Sequence, residues 1–177
     1  MRYAVLAIAM AAMALPALAR PVEETDRAEV GRLLVELEDS VMKLDMERTV
    51  ALMPAPIFDT LAEMNGVTTD QLRTAMDQAA EQALSSVEFL SATFDMDGAT
   101  EGETSSGRPY IQIPSIVDMD VNGAGKVRSR STVLALEDGG SWYLLRVEDE
   151  AQKAALAGAY PDFDGVEFPQ GSLENIE

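Results

Sequence analysis

The chain of 177 residues contains no cysteine and no histidine. Without cysteine there is no disulfide framework, no thiolate nucleophile, no iron–sulfur ligation and no thiolate zinc site. Without histidine there is no Ser-His-Asp triad, no His-based zinc site and no His-ligated haem. Positive charge is scarce as well. Lys and Arg number 13 against 31 Asp and Glu, a formal net charge of −18. A chain this acidic has no basic face for a phosphate backbone, so no nucleic-acid partner is expected. Anionic lipid headgroups repel it too. Beyond the N-terminus no stretch is long and apolar enough to span a bilayer. No cofactor is implied by any motif present.

What is there begins with an export signal. Arg2 supplies a positive start, an apolar run follows from Tyr3 to Leu15, and Ala17-Leu18-Ala19 is a small-x-small cleavage site. The run is too short for a transmembrane anchor. Residues 1–19 therefore read as a signal peptide, and 20–177 as one domain. No cysteine follows for lipid attachment. The expected destination is the periplasm, with secretion as the alternative, and no membrane insertion once the signal is removed. Disulfides are permitted there but none can form, so the fold must rest on its apolar core. A domain of about 150 residues can bury roughly 70% of its unfolded surface. The acids are spread along the whole chain, which reads as a solvating surface rather than a cation site.

The domain divides into a helical half, about 26–84, a strand half, about 87–148, and a C-terminal helix and tail, about 149–177. Asp26 is placed to cap the first helix, with Glu29 completing a capping box. Val30, Leu33, Leu34, Leu37, Val41 and Leu44 recur at helical spacing. Asp45 caps a second short helix, which Pro54 ends. Pro56 sits in the first turn of a third, closed by Asn65-Gly66. Thr68 and Gln71 form a capping box for a helix over 69–84, with Leu72, Met76, Ala79, Ala80 and Ala83 on its buried face. The pattern then turns to period two. Strands are expected over 87–96, 110–121, 127–137 and 141–148. A Gly/Thr/Ser loop fills 97–107, Asn122-Gly123-Ala124-Gly125 turns one hairpin, and Asp138-Gly139 turns the next. Pro114 marks a bulge or an edge. Helices followed by a four-stranded antiparallel meander make an α+β fold, with helices packed on one sheet face.

This order is similar to that of the nuclear transport factor two-like superfamily of α+β rolls. The closing hairpin, Leu134 to Val147, resembles the last hairpin of such domains through Asp138-Gly139-Gly140-Ser141-Trp142-Tyr143-Leu144. The family commonly shows three early helices where four segments stand here. The resemblance implies a pocket, not a reaction, since the superfamily holds isomerases, dehydratases, cyclases, immunity proteins and binding modules. No catalytic residue is transferred from it.

A tight Asp138-Gly139 turn pairs 137 with 140, 135 with 142 and 133 with 144. Trp142, Leu144 and Arg146 then share a face with Ala135, Val133, Ser131 and Ser129. Tyr143, Leu145 and Val147 lie on the other face, so the last strand is apolar on both sides. The C-terminal aromatic tail or a second subunit is expected to cover the second face. Arg146 stands between two apolar residues and needs a partner. Two readings follow: an anchor for an anionic ligand, or an ion pair with Glu148 or another acid. Trp142 shares its face, and a buried Tyr110 hydroxyl would need a partner. Met42 and Met46, one helical turn apart, are pocket-lining candidates. These five residues form the candidate ligand site. Asp118 and Asp120 are expected on the Arg146 face, near the solvated end of their strand. Asp95 and Asp97 are a weak calcium candidate, without the EF-hand pattern. No other metal site is expected. Asp162-Phe163-Asp164-Gly165 reads as tail punctuation.

The expectation is an exported, non-catalytic domain that binds a small apolar or anionic molecule or a protein partner. A homodimer or a periplasmic protein is the partner to look for. One alternative is an isomerase- or dehydratase-like enzyme working with carboxylates and a tyrosine. The other is an interaction module docking through an apolar sheet face.

Overall fold

The computed structural model describes residues 20–176 except residue 85. The expected signal peptide lies outside the described residues, as does the side chain of Ala83.

Helix α1 (Glu24–Lys43) starts a turn earlier than expected, with Glu23 as its N-cap. Asp26 is the third helical residue, and its carboxylate accepts the Glu23 N–H at 2.8 Å. An acid in the first turn also meets the positive end of the helix dipole. Helix α2 (Met46–Ala51) is capped by Asp45, which accepts the Arg48 N–H at 3.1 Å. Pro54 separates it from α3 (Ala55–Met64). Helix α4 (Thr69–Leu84) starts at the Thr68/Gln71 box, whose two reciprocal bonds measure 2.9 and 3.2 Å. Its Leu72, Met76 and Ala80 are only half-buried, and Ala79 is exposed.

The strands are β1 (Val87–Phe94), β2 (Thr100–Glu103), β3 (Pro109–Val121), β4 (Gly125–Asp138) and β5 (Ser141–Val147). Helix α5 (Glu150–Ala159), a single 3-10 turn (Pro161–Phe163) and β6 (Ser172–Asn175) follow. All pair antiparallel in the order β1-β3-β4-β5. The class is α+β, with N-terminal helices against an antiparallel sheet. Two strands exceed the expected four. β2 extends the β3 edge beyond β1, and β6 extends the β4 edge beyond β5. Neither Thr-Glu-Gly-Glu nor Ser-Leu-Glu-Asn has an alternating apolar face; each is held by a backbone edge left open beside it. Pro114 sits between the β1 and β2 pairings. Its C=O accepts the Asp95 N–H at 2.9 Å, so its missing donor falls at the same gap. The ladder to β4 runs unbroken through it, and the bulge lies in β1 between Phe89 and Ser91.

Both turns differ from expectation. The closing loop is Gly139-Gly140, with φ of 60° and 86°, so Asp138 pairs with Ser141. The φ > 0 requirement of a type I′ turn favours two glycines over Asp-Gly. The slip is two residues, so every face assignment in that hairpin is unchanged. The β3–β4 loop is three residues long, with Val121 opposite Gly125. That single-residue change sets Asp118 opposite Arg128. Asp118 and Asp120 therefore lie on the face opposite Arg146, a correction of their expected position.

The helices divide between the two faces rather than sharing one. On the first, Val30, Leu33 and Leu34 of α1 pack on Ile111, Ile113, Val133, Ala135, Trp142 and Leu144. On the second, Ile57 of α3, Leu156 of α5, Tyr160 and Phe163 pack on Leu134, Leu136, Leu145 and Val147. Burying each such side chain contributes about 1.5–3 kcal/mol. The chain passes from one face to the other around the β5 edge, where Leu52 C=O accepts the Leu144 N–H at 2.8 Å. The C-terminal segment thus covers the second face.

Candidate functional site

On the first face the α1 stripe leaves the sheet after Leu34. Leu37 and Val41, its next turns, form one wall of a cleft of about 150 Å³. Thr49 and Met53 form a second wall. Phe94, Val117, Val133 and Leu144 line the sheet side, and Ser115 and Arg146 supply its polar atoms. The cause is legible in the strands. The inward positions run Ile111, Ile113, then Ser115 on β3, and Val133, then Ser131 and Ser129 on β4. Short serines replace branched residues, and the core there opens.

Arg146 lies opposite Val133 in the ladder. Its Nε donates to Ser131 Oγ at 3.1 Å and its Nη2 to Ser129 Oγ at 2.9 Å. Nη2 also lies 2.5 Å from Glu148 Oε1. Ser131 and Ser115 are hydroxyl to hydroxyl at 2.8 Å. Nη1 makes no hydrogen bond among the described residues. Burial pushes the guanidinium pKa down from its ordinary value, and the Glu148 carboxylate opposes that. A guanidinium remains charged under such conditions. The side chain is 41% exposed, so this end of the cleft reaches solvent. The residues lining the cleft include no carboxylate and no tyrosine, and the Glu148 carboxylate meets it through Arg146. The arrangement suits binding an apolar body with an anionic end.

The other sequence candidates are not gathered here. Trp142 is on the same sheet face but under the start of α1. Its Nε1 donates to Asp26 Oδ1 at 3.0 Å. Asp26 also accepts both Arg20 amines, at 2.7 and 3.0 Å. The Arg20 bonds above all hold its carboxyl well below the usual range, at about 2. Tyr110 faces the opposite side, its ring 5.5 Å from that of Phe163. Met42 is exposed on α1, and Met46 lines a separate pocket with Arg73 and Met76 of α4. Asp95 closes a turn by accepting the Gly98 N–H at 3.0 Å. Among the described residues no three carboxylates converge as metal ligands, at Asp95 and Asp97 or elsewhere. Asp118 is gripped by Arg128 through two bonds of 2.7 Å, which draw its pKa down.

A second polar cluster underlies the tail. Asp162 accepts from Thr104 Oγ1 at 2.8 Å, Ser106 Oγ at 2.6 Å and Arg108 Nε at 3.0 Å. Arg108 Nη1 donates to Glu137 C=O at 2.7 Å and Asp138 at 3.1 Å. Its guanidinium lies 4.7 Å over the Tyr160 ring. Tyr160 in turn donates to Asp138 at 2.9 Å, and burial raises its pKa. This tyrosine–carboxylate pair has the chemical types an isomerase would use. It is packed beneath the C-terminal segment, with Tyr160 buried, and each of its groups is already partnered.

Sequence reasoning reached Arg146, Ser129 and Ser131 together. It did not single out Ser115, and took Met53, Phe94, Leu37 and Val41 for core. The serines at inward strand positions were the available signal. The Arg108–Asp162 pairing spans 54 residues of sequence, and nothing local marks it.

No protein family, no curated protein and no solved structure matches this chain.

Proposed function

We propose that the chain is an exported, non-catalytic binding domain of the nuclear transport factor two-like type, and that it takes a small apolar anion in the Arg146 cleft. The carrying observation is the guanidinium at the solvent end of an apolar cleft, held by Ser129 and Ser131 with one amine left over. A cavity of roughly 150 Å³ lined by apolar side chains accepts a benzene-sized molecule. A monocarboxylate such as benzoate or hexanoate fits that size and charge. The helix-then-curled-sheet layout supports the family reading, and the N-terminal Arg2, apolar run and Ala-x-Ala site support export.

The test is a benzoate titration of the mature domain followed by heteronuclear NMR. Resonances of Arg146 Nε, Phe94 and Leu144 are expected to move together and saturate. Arg146→Gln should weaken benzoate about tenfold, the scale of one charge-assisted hydrogen bond. Benzyl alcohol, of the same shape without the charge, should bind both proteins alike. Shifts confined to other surfaces, or none at millimolar ligand, would overturn the proposal.

A further inference from the structure

Glu148 is held in place by the start of α5 and by the C-terminal segment behind it. Glu148 follows β5 directly, and its backbone N–H donates to Gln152 Oε1 at 2.6 Å in the first turn of α5. Asp149 caps that helix by accepting the Gln152 N–H at 2.8 Å. The start of α5 thus fixes where the Glu148 side chain springs from. Behind it runs the segment leading into β6. A Cβ placed on Gly171 would come tight against Arg130 C=O, at 3.3 Å, and into ordinary contact with Glu148 Cβ, at 3.5 Å, so the backbone there runs directly behind Glu148. β6 is secured beyond it by its ladder to β4 and by Arg130 Nη2 on Glu174 at 3.0 Å. Glu148 is therefore backed by the C-terminal segment and directed at Arg146.

We infer that Glu148 is a built-in competitor that occupies Arg146 when the cleft is empty and must yield it to an anionic ligand. The inference rests on the proposed binding reading and specifies its regulation. A carboxylate that binds Arg146 through two oxygens needs both Nη1 and Nη2, and Glu148 already sits on Nη2; one that takes Nη1 alone stands beside Glu148 and is repelled by it. Glu148 therefore sets a threshold. Weakly basic or neutral molecules leave the internal pair intact, while a carboxylate able to bind Arg146 through two oxygens displaces it. The carboxylate also keeps the cleft's cation from attracting arbitrary anions, a form of selectivity by opposition.

The experiment compares the wild type with Glu148→Gln, using benzoate and benzyl alcohol as probes and calorimetry as readout. Removing a partly exposed opposing charge should tighten benzoate on the order of fivefold, with benzyl alcohol unchanged. Glu148→Asp, one carbon shorter but still anionic, should stay near wild type or between the two. If benzoate binds the wild type and Glu148→Gln leaves its affinity the same or weaker, the competitor role is overturned while the binding reading stands. If benzoate binds neither protein in the cleft, both fall. A gain shared equally by benzyl alcohol would mean that Glu148 only restricts space, and would also overturn the competitor role.

Discussion

Arg108 and Arg146 serve the two sides of one sheet, and their surroundings differ in kind. Arg108 spends Nε on Asp162, Nη1 on a carbonyl and Asp138, and its face on Tyr160. Its side chain is 21% exposed, under a tail that also seals Tyr110 and Phe163. Arg146 is held by two serines and one half-buried acid, beside a cleft that the helices leave open. A cation shared between two carboxylates, a carbonyl and an aromatic ring beneath the tail fastens the fold. A cation beside unfilled apolar surface is available to something else. The difference arises from small residues: serines at 115, 129 and 131 on one face, against Leu134, Leu136, Leu145 and Val147 on the other.

Removing Arg108 should have the largest effect. Arg108→Gln leaves Asp162 without its cation in a partly buried site and should cost about 3–5 kcal/mol in urea denaturation. Asp162→Asn should cost nearly as much, and the double variant less than the sum, because the two act as one unit. Arg146→Met should change stability by less than about 1 kcal/mol, since it places apolar carbon beside an apolar cleft. Equal losses at the two arginines would show that both fasten the fold alike.

Adjacent leucines on β5 sharpen it. Leu144 faces the cleft and Leu145 the sealed side. Each changed to Ala should cost about 2–4 kcal/mol. Leu144→Ala should in addition enlarge the cleft and admit a bulkier carboxylate, read by calorimetry with naphthoate. Leu145→Ala should leave naphthoate binding unchanged.

Acid acts on the sealed side and on the start of α1. The carboxyls of Asp26 and Asp162 are held below their ordinary range, Asp26 at about 2 by Arg20. A carboxyl depressed in the folded state takes up its proton first in the unfolded chain. Their contribution is therefore present in full above about pH 4, the unfolded carboxyl range, and is lost as pH falls through the folded values. Melting temperature should drop across that window, and Asp26→Asn should make the drop shallower. The smallest effect is expected at Arg130→Gln, whose exposed pair with Glu174 is worth less than about 1 kcal/mol.

Local signals carried much of the fold. Thr68 and Gln71 set the start of α4, and Pro54 and Pro56 the break after α2 and the start of α3, because caps and prolines act within a few residues. The faces of β4 and β5 were readable because a two-residue slip at Gly139-Gly140 preserves parity. The β3–β4 loop was not so forgiving, and one residue at Val121–Gly125 turned Asp118 and Asp120 over. β2 and β6 were not legible, since their pairing depends on an edge formed by distant strands. Of the candidate site, Arg146 with Ser129 and Ser131 followed from period two. The cleft did not, because it depends on where α1 parts from the sheet. Tyr110, Trp142, Met42 and Met46 are brought to four other places.

The decisive observation would be a crystal structure of the protein soaked in para-iodobenzoate. Iodine scatters anomalously, so its site is seen without interpretation of weak density. The expected result is one strong peak among Leu37, Phe94 and Leu144, with the carboxylate within hydrogen-bond distance of Arg146 Nη1 and Glu148 turned away. Iodine found only elsewhere, with the Arg146–Glu148 pair undisturbed at saturating ligand, would contradict the assignment of the cleft as a binding site.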